Sequence, residues 1–159
     1  MAEEKNIVQA KAAFNTLCQA LENHDWKYSK DEENLSIECG AQGEDLPMNL
    51  TVRINSEKQI VLLLSHLPFV IEEEKRLDVA IAVSAANNAI VDGSFDYDIS
   101  DGHMFFRMTN CFIESQLSEE VFSYMLFCSS HTIDEFNDKF LMISKGMLSI
   151  EQFLGTFNN

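Results

Sequence analysis

Residues Ser94–Glu114, SFDYDISDGHMFFRMTNCFIE, decide the fold class. Residues 94–100 and 103–114 alternate apolar and polar side chains on either side of Asp101-Gly102, the dipeptide of a tight hairpin turn. With a type I′ turn there, Ile99 pairs with Met104, Tyr97 with Phe106 and Phe95 with Met108, all on one face, and Asp96 falls opposite Arg107 on the other. Apolar register and charge agree on an antiparallel pair.

Working outward, the preceding segment changes period. Residues 73–91 are helical, opened by Glu72, Glu73 and Glu74, which suit a positive helix N-terminus, with Gly93 expected as the residue just past its end. Upstream, Leu35, Ile37 and Cys39 alternate with polar neighbours, as do Leu50, Val52 and Ile54, so both runs read as half-buried strands. Ile60–Leu64 is apolar on both faces, the pattern of an inner strand covered on two sides or shared with another subunit, and Pro68 ends it nearby. A short strand is expected around Trp26–Ser29. Residues 4–23 form an amphipathic helix, with Ile7, Ala10, Phe14, Leu17, Cys18 and Leu21 on one stripe.

Downstream of the hairpin the chain is helical. Ser118 can cap, with Glu119 and Glu120 in the first turn and Leu117 stapling Phe122. Thr132 with Glu135 spells a capping box, which predicts a break near His131; Ser149 with Gln152 spells another, with Leu148 and Phe153 as its staple. Hairpins with inserted helices point to an α+β layered domain around an antiparallel sheet. The order is a helix, three or four strands, a helix, two strands, then helices, which condenses to α-β(3)-α-β(2)-α when the short strand near Trp26 is left out. Neither an internal repeat nor a linker divides residues 1–159, so they read as a single domain.

The chain has 26 acidic and 11 basic residues among 159, a net charge of -15. Such a surface repels nucleic-acid phosphates and anionic lipid headgroups; it serves solubility first, or else a basic patch on a protein partner. Hydrophobic residues at 46% and charged residues at 23% are those of a globular chain. Cys18, Cys39, Cys111 and Cys128 show neither CxxC nor zinc spacing, and MAEEKNIVQ lacks a secretory pattern. Reduced core cysteines in the cytoplasm are the expectation.

Chemistry is sparse. Taken as a calcium loop, Asp96, Asp98 and Ser100 fill the first ligand positions, but Asp101 stands where the sharp turn needs glycine and Arg107 where a bidentate glutamate is needed. A hairpin with a solvated acidic face accounts for the segment better. His24, His66, His103 and His131 are far apart, with no metalloprotease motif, and Cys18 and Cys128 sit in apolar settings that suppress thiolate. No GxSxG or SxxK motif occurs. The reading is of a non-enzyme without metal or cofactor.

The helix Leu77–Val91, LDVAIAVSAANNAIV, is apolar nearly all round. Val79, Val83, Ala86 and Ile90 face the sheet, while Leu77, Ala80, Ile81, Ser84, Ala85 and Asn88 occupy much of the opposite side. Either the C-terminal helices cover that second face, or a second copy does, across a two-fold where Ala80, Ser84 and Ala85 allow close approach. The homodimer is favoured, because Asn87 and Asn88 suit an interface centre or a hydrogen-bonded edge. Phe95, Tyr97, Phe106 and Met108 either line a small-ligand pocket or simply fill the core.

The stretch AANNAIVDGSFDYDISDGHMFFRMTNCFIESQLSEEVF resembles the YbjN-like family of bacterial sensory-transduction regulators. It does so through an Asn at the helix end, Gly93-Ser94-Phe95, the hairpin with Arg107 and the Leu117-Ser118 helix start; Phe136, Phe140 and Gly146 continue the likeness, over roughly residues 60–147. The resemblance implies a type III secretion chaperone-like fold. It also implies a binding role: dimerisation and capture of a protein client whose identity the sequence does not reveal, with no catalytic residue to carry over.

Overall fold

The computed structural model describes residues 1–157. Helix α1 spans Ala2–Asn23. Four strands follow: β1 Tyr28–Asp31, β2 Ser36–Gln42, β3 Pro47–Asn55 and β4 Ile60–His66. After a 3-10 turn at Glu73–Lys75 come α2 Arg76–Ala89, β5 Ser94–Tyr97, β6 Met104–Cys111, α3 Glu119–Ser144 and α4 Ile150–Gly155. The strands form one antiparallel sheet in the order β1-β2-β3-β4-β6-β5. The fold is α+β, with four strands before α2; of the three or four the sequence pattern allows, the short strand expected near Trp26 is present as β1, at the edge of the sheet.

The sheet has one wet and one dry side. Paired positions Ile37–Val52, Val52–Leu63, Leu63–Met108 and Phe95–Phe106 share the buried side, on which the helices pack. Burying each such side chain contributes roughly 1.5–3 kcal/mol. Ile60, Leu62 and Leu64 of the inner strand point to the opposite side, where they are half-buried among their strand neighbours and no helix covers them. On α1 the dry stripe runs Ala10, Phe14, Leu17, Cys18 and Leu21; Ile7, expected on it, is exposed. The helix stops where Trp26 N–H returns to the Leu21 carbonyl and Asp25 takes φ +56.

Three local readings are corrected. The β5–β6 register is Phe95–Phe106, Asp96–Phe105 and Tyr97–Met104, shifted by two residues from the one a turn at Asp101-Gly102 would give. The Asp98 carboxylate accepts from Ser100 N–H at 2.9 Å and the Asp101 carboxylate accepts from His103 N–H at 2.8 Å. These bonds hold a wider loop closed by Asp98 N–H to the His103 carbonyl, and leave Ile99 exposed. Because the slip is even, the apolar face survives, and Arg107 still reaches Asp96 diagonally at 2.9 Å.

Second, α2 ends at Ala89 with an extended Ile90, so Gly93 does not cap it. Gly93 is needed for a different reason: at φ +81 a Cβ would lie 2.3 Å from the Phe106 ring. Third, α3 runs unbroken through His131–Glu135. Thr132 sits buried on a seam that includes Phe122, Met125, Ser129, Ile133, Phe136, Phe140 and Ile143, and capping there would split that seam. Ser149 does cap α4, accepting from Gln152 N–H at 3.1 Å while the Gln152 side chain accepts from Ser149 N–H at 3.0 Å.

Candidate functional site

Helix α2 is pinned at both ends to the β5–β6 hairpin, and this fixes which face it shows. At its N-terminus the Arg76 guanidinium donates to the carbonyls of Ser100 at 2.6 Å and Asp101 at 3.2 Å. The Tyr97 hydroxyl donates to the Arg76 carbonyl at 3.3 Å, and burial first of all raises that phenol's pKa. At its C-terminus the Asn87 amide bonds both backbone groups of Phe95. Between these anchors Val79, Ala82, Val83 and Ala86 are buried; Ile90, expected with them, is only half-buried.

The opposite face is where the sequence placed an interface. Leu77 is 71% exposed and Ile81 50%, and Ser84 and Asn88 are exposed beside them. Ala80 is half-buried. Ala85 turns partly inward and packs against the core, so four of the six positions, Leu77, Ile81, Ser84 and Asn88, are exposed. The C-terminal helices therefore do not cover Leu77 and Ile81. A shallow depression between this face and the hairpin is lined by Ala80, Val83, Ser84, Asp96, Tyr97 and Ile99.

Residues considered for chemistry do not converge. His24 contacts Ser123 and Phe127, His66 stacks obliquely on Phe105, and His103 and His131 are exposed elsewhere. Burial pushes the Cys39 thiol up to about 12 and also raises that of Cys18. Cys128 is half-buried and Cys111 is exposed on the uncovered side of the sheet. Among the described residues no three His, Cys, Asp or Glu side chains are placed to hold a metal ion, and no helix is long and apolar enough to cross a membrane. Phe95, Phe106 and Met108 are buried; Phe95 meets Phe106, Phe136 and Phe140 edge-to-face, filling the space a ligand pocket would need.

Sequence reasoning missed one surface feature. Trp26 and Phe127, 5.8 Å apart and edge-to-face, form an aromatic patch with His24, while Tyr124 stands one turn from Phe127 and is 50% exposed. Its only sequence signal is that Tyr124 and Phe127 fall off the apolar seam of α3.

A family model for YbjN, described as "Putative bacterial sensory transduction regulator", matches residues 14–142. The crystal structure of "YbjN, a putative transcription regulator from E. coli" has the same fold: TM-score 0.56 and 12% identity, over 77% of this chain and 87% of that one. No curated protein matches.

Proposed function

The chain belongs to the YbjN family, and from that premise we propose that it is a non-catalytic regulatory module that binds protein and pairs with a second copy of itself through the outward face of α2. One observation carries the reading. Leu77 and Ile81 stand exposed on a face whose other members, Ala80, Ser84 and Asn88, are small or uncharged. In a chain of net charge -15, an uncharged apolar face is where two copies approach with least repulsion. The same charge favours regulation through protein contacts over direct contact with DNA. A chaperone-like hold on a client fits this mode of action, and four unpaired cysteines suit the cytoplasm.

Light scattering at micromolar concentration tests the pairing: the expected particle has twice the 18.1 kDa chain mass. Ile81→Glu, at a half-exposed position, is expected to halve that mass with the far-UV circular dichroism unchanged. A wild-type monomer, or an Ile81→Glu variant that stays dimeric, overturns the interface.

A further inference from the structure

We propose that the aromatic patch formed by Trp26, Tyr124 and Phe127 is a docking surface for a cationic segment of a partner protein, whose arginine or lysine side chains lie over the rings. The proposal takes from the association reading only that a second protein binds, and it uses a different surface from α2.

Three observations converge. The rings are accessible: Phe127 is 46% exposed, Tyr124 50%, and Trp26 half-buried, with the Trp26 and Phe127 ring planes set at 84°. They are held in place. The His24 ring packs edge-on against Phe127 at 4.9 Å and is bonded to Ser123 at 3.1 Å, and the Tyr124 hydroxyl donates to Asp92. Finally, the border is acidic, and Arg107, which shares a depression with Asp92, is already paired with Asp96 at 2.9 Å. Residues 12–26, 77–106 and 108–138, which supply the patch and its border, contain no lysine or arginine, while Asp25, Asp92 and Glu120 are exposed there. The nearest cation in sequence, Lys27, lines a depression with Ser29, Glu38 and Thr51 on the sheet's uncovered side.

Ring faces attract a cation within about 6 Å of their centroids, and arginine is the cation most often found there. Carboxylates at the border add long-range attraction for the same charge. A second copy of this chain would bring -15 against these carboxylates, so charge selects a basic partner over self-association here.

Trp26 is the only tryptophan, so its emission reports directly on the patch. The experiment titrates the full chain with a short peptide of alternating arginine and glycine. Saturable change in Trp26 emission is expected, with none from the same peptide carrying neutral citrulline for arginine. Phe127→Ala is expected to weaken binding about fivefold, equivalent to about 1 kcal/mol, and Tyr124→Ser to weaken it in the same direction. Glu73→Gln with Glu74→Gln removes two exposed carboxylates near the far end of α3, about 25 Å from Phe127 at 1.5 Å per residue; it is expected to leave affinity within twofold. Several results overturn the proposal: no emission change, equal binding by Phe127→Ala, or equal losses from the distant pair, which would mean general charge attraction. A fall in particle mass in Phe127→Ala would mean that a second copy occupies the patch, and also overturns it. Ile81→Glu is expected to bind the peptide normally, so failure of the α2 interface and failure of this surface are read separately.

Discussion

The Asn87 side chain takes both outward backbone groups of Phe95: its Nδ2 donates to the Phe95 carbonyl at 2.9 Å and its Oδ1 accepts from the Phe95 N–H at 2.8 Å. β5 is an edge strand, so these groups have no neighbouring strand to bond. An amide from α2 stands in for one, and the sheet's edge is closed to pairing at that residue. It is also the physical reason for an asparagine at this helix end, and for its neighbour Asn88 being free to face solvent.

Asn87→Ala is therefore expected to destabilise the fold by about 1–3 kcal/mol, because a part-buried donor and acceptor both lose their partner. Urea unfolding should show a lower midpoint with an unchanged m-value. Asn87→Asp keeps an acceptor for the Phe95 N–H and loses the donor to its carbonyl, so its midpoint should fall between the two. A midpoint for Asn87→Ala equal to wild type would mean that the amide adds nothing to holding α2 on β5.

Cys39 predicts a pH dependence with a definite sign. Its thiol ordinarily ionises near 9.0, and burial on the dry side of β2 raises that to about 12. The unfolded chain thus loses this proton first as pH rises. The stabilisation is complete below about pH 9 and is lost progressively between 9 and 12. Cys39→Val removes the titration, so its stability should decline less steeply across that window than wild type's. Parallel curves would contradict the assignment. At pH 8 a thiol reagent should label exposed Cys111 ahead of Cys39.

Faces were legible in the sequence; partners across space were not. Alternation put Phe95, Tyr97, Phe106 and Met108 on one side correctly, because a register slip of two preserves side-chain parity. The turn itself was misread because Asp98 and Asp101 spend their carboxylates on backbone N–H groups nearby, which stabilises a wider loop than the dipeptide suggests. The outward face of α2 was visible as surplus apolar surface, though Ala85 lies nearer the core than a helical wheel implies. Trp26 and Phe127 meet only through the packing of α1 against α3, so neither local period nor spacing could bring them together.

Thr132 separates a local signal from a tertiary one. Its spacing to Glu135 imitates a helix start, yet it lies inside a 26-residue helix with its side chain buried. Thr132→Pro should cost about 3 kcal/mol or more, by removing a helical hydrogen bond and clashing with the preceding turn. If the chain began a new helix there, proline near that start would be tolerated. Thermal unfolding followed by circular dichroism distinguishes the two, with a large drop in midpoint expected.

Two glycines make a matched pair for testing what the backbone requires. Gly93 has φ +81, and a methyl group there would sit 2.3 Å from Cζ of Phe106, a fully buried ring held edge-to-face by Phe95 at 5.1 Å. Gly40 lies within β2, and a Cβ there would meet only ordinary contacts at 3.8 Å. Left-handed backbone alone costs a non-glycine residue about 1–3 kcal/mol, and displacing a packed ring adds about as much again. Strand glycine, by contrast, is weaker than alanine by roughly 0.5–1 kcal/mol. Gly93→Ala should thus lower the unfolding midpoint strongly while Gly40→Ala leaves it equal or raises it. The order of the two midpoints, measured in one denaturant series, decides whether the entry to β5 is strained for the sake of Phe106; equal midpoints would remove that reason for Gly93.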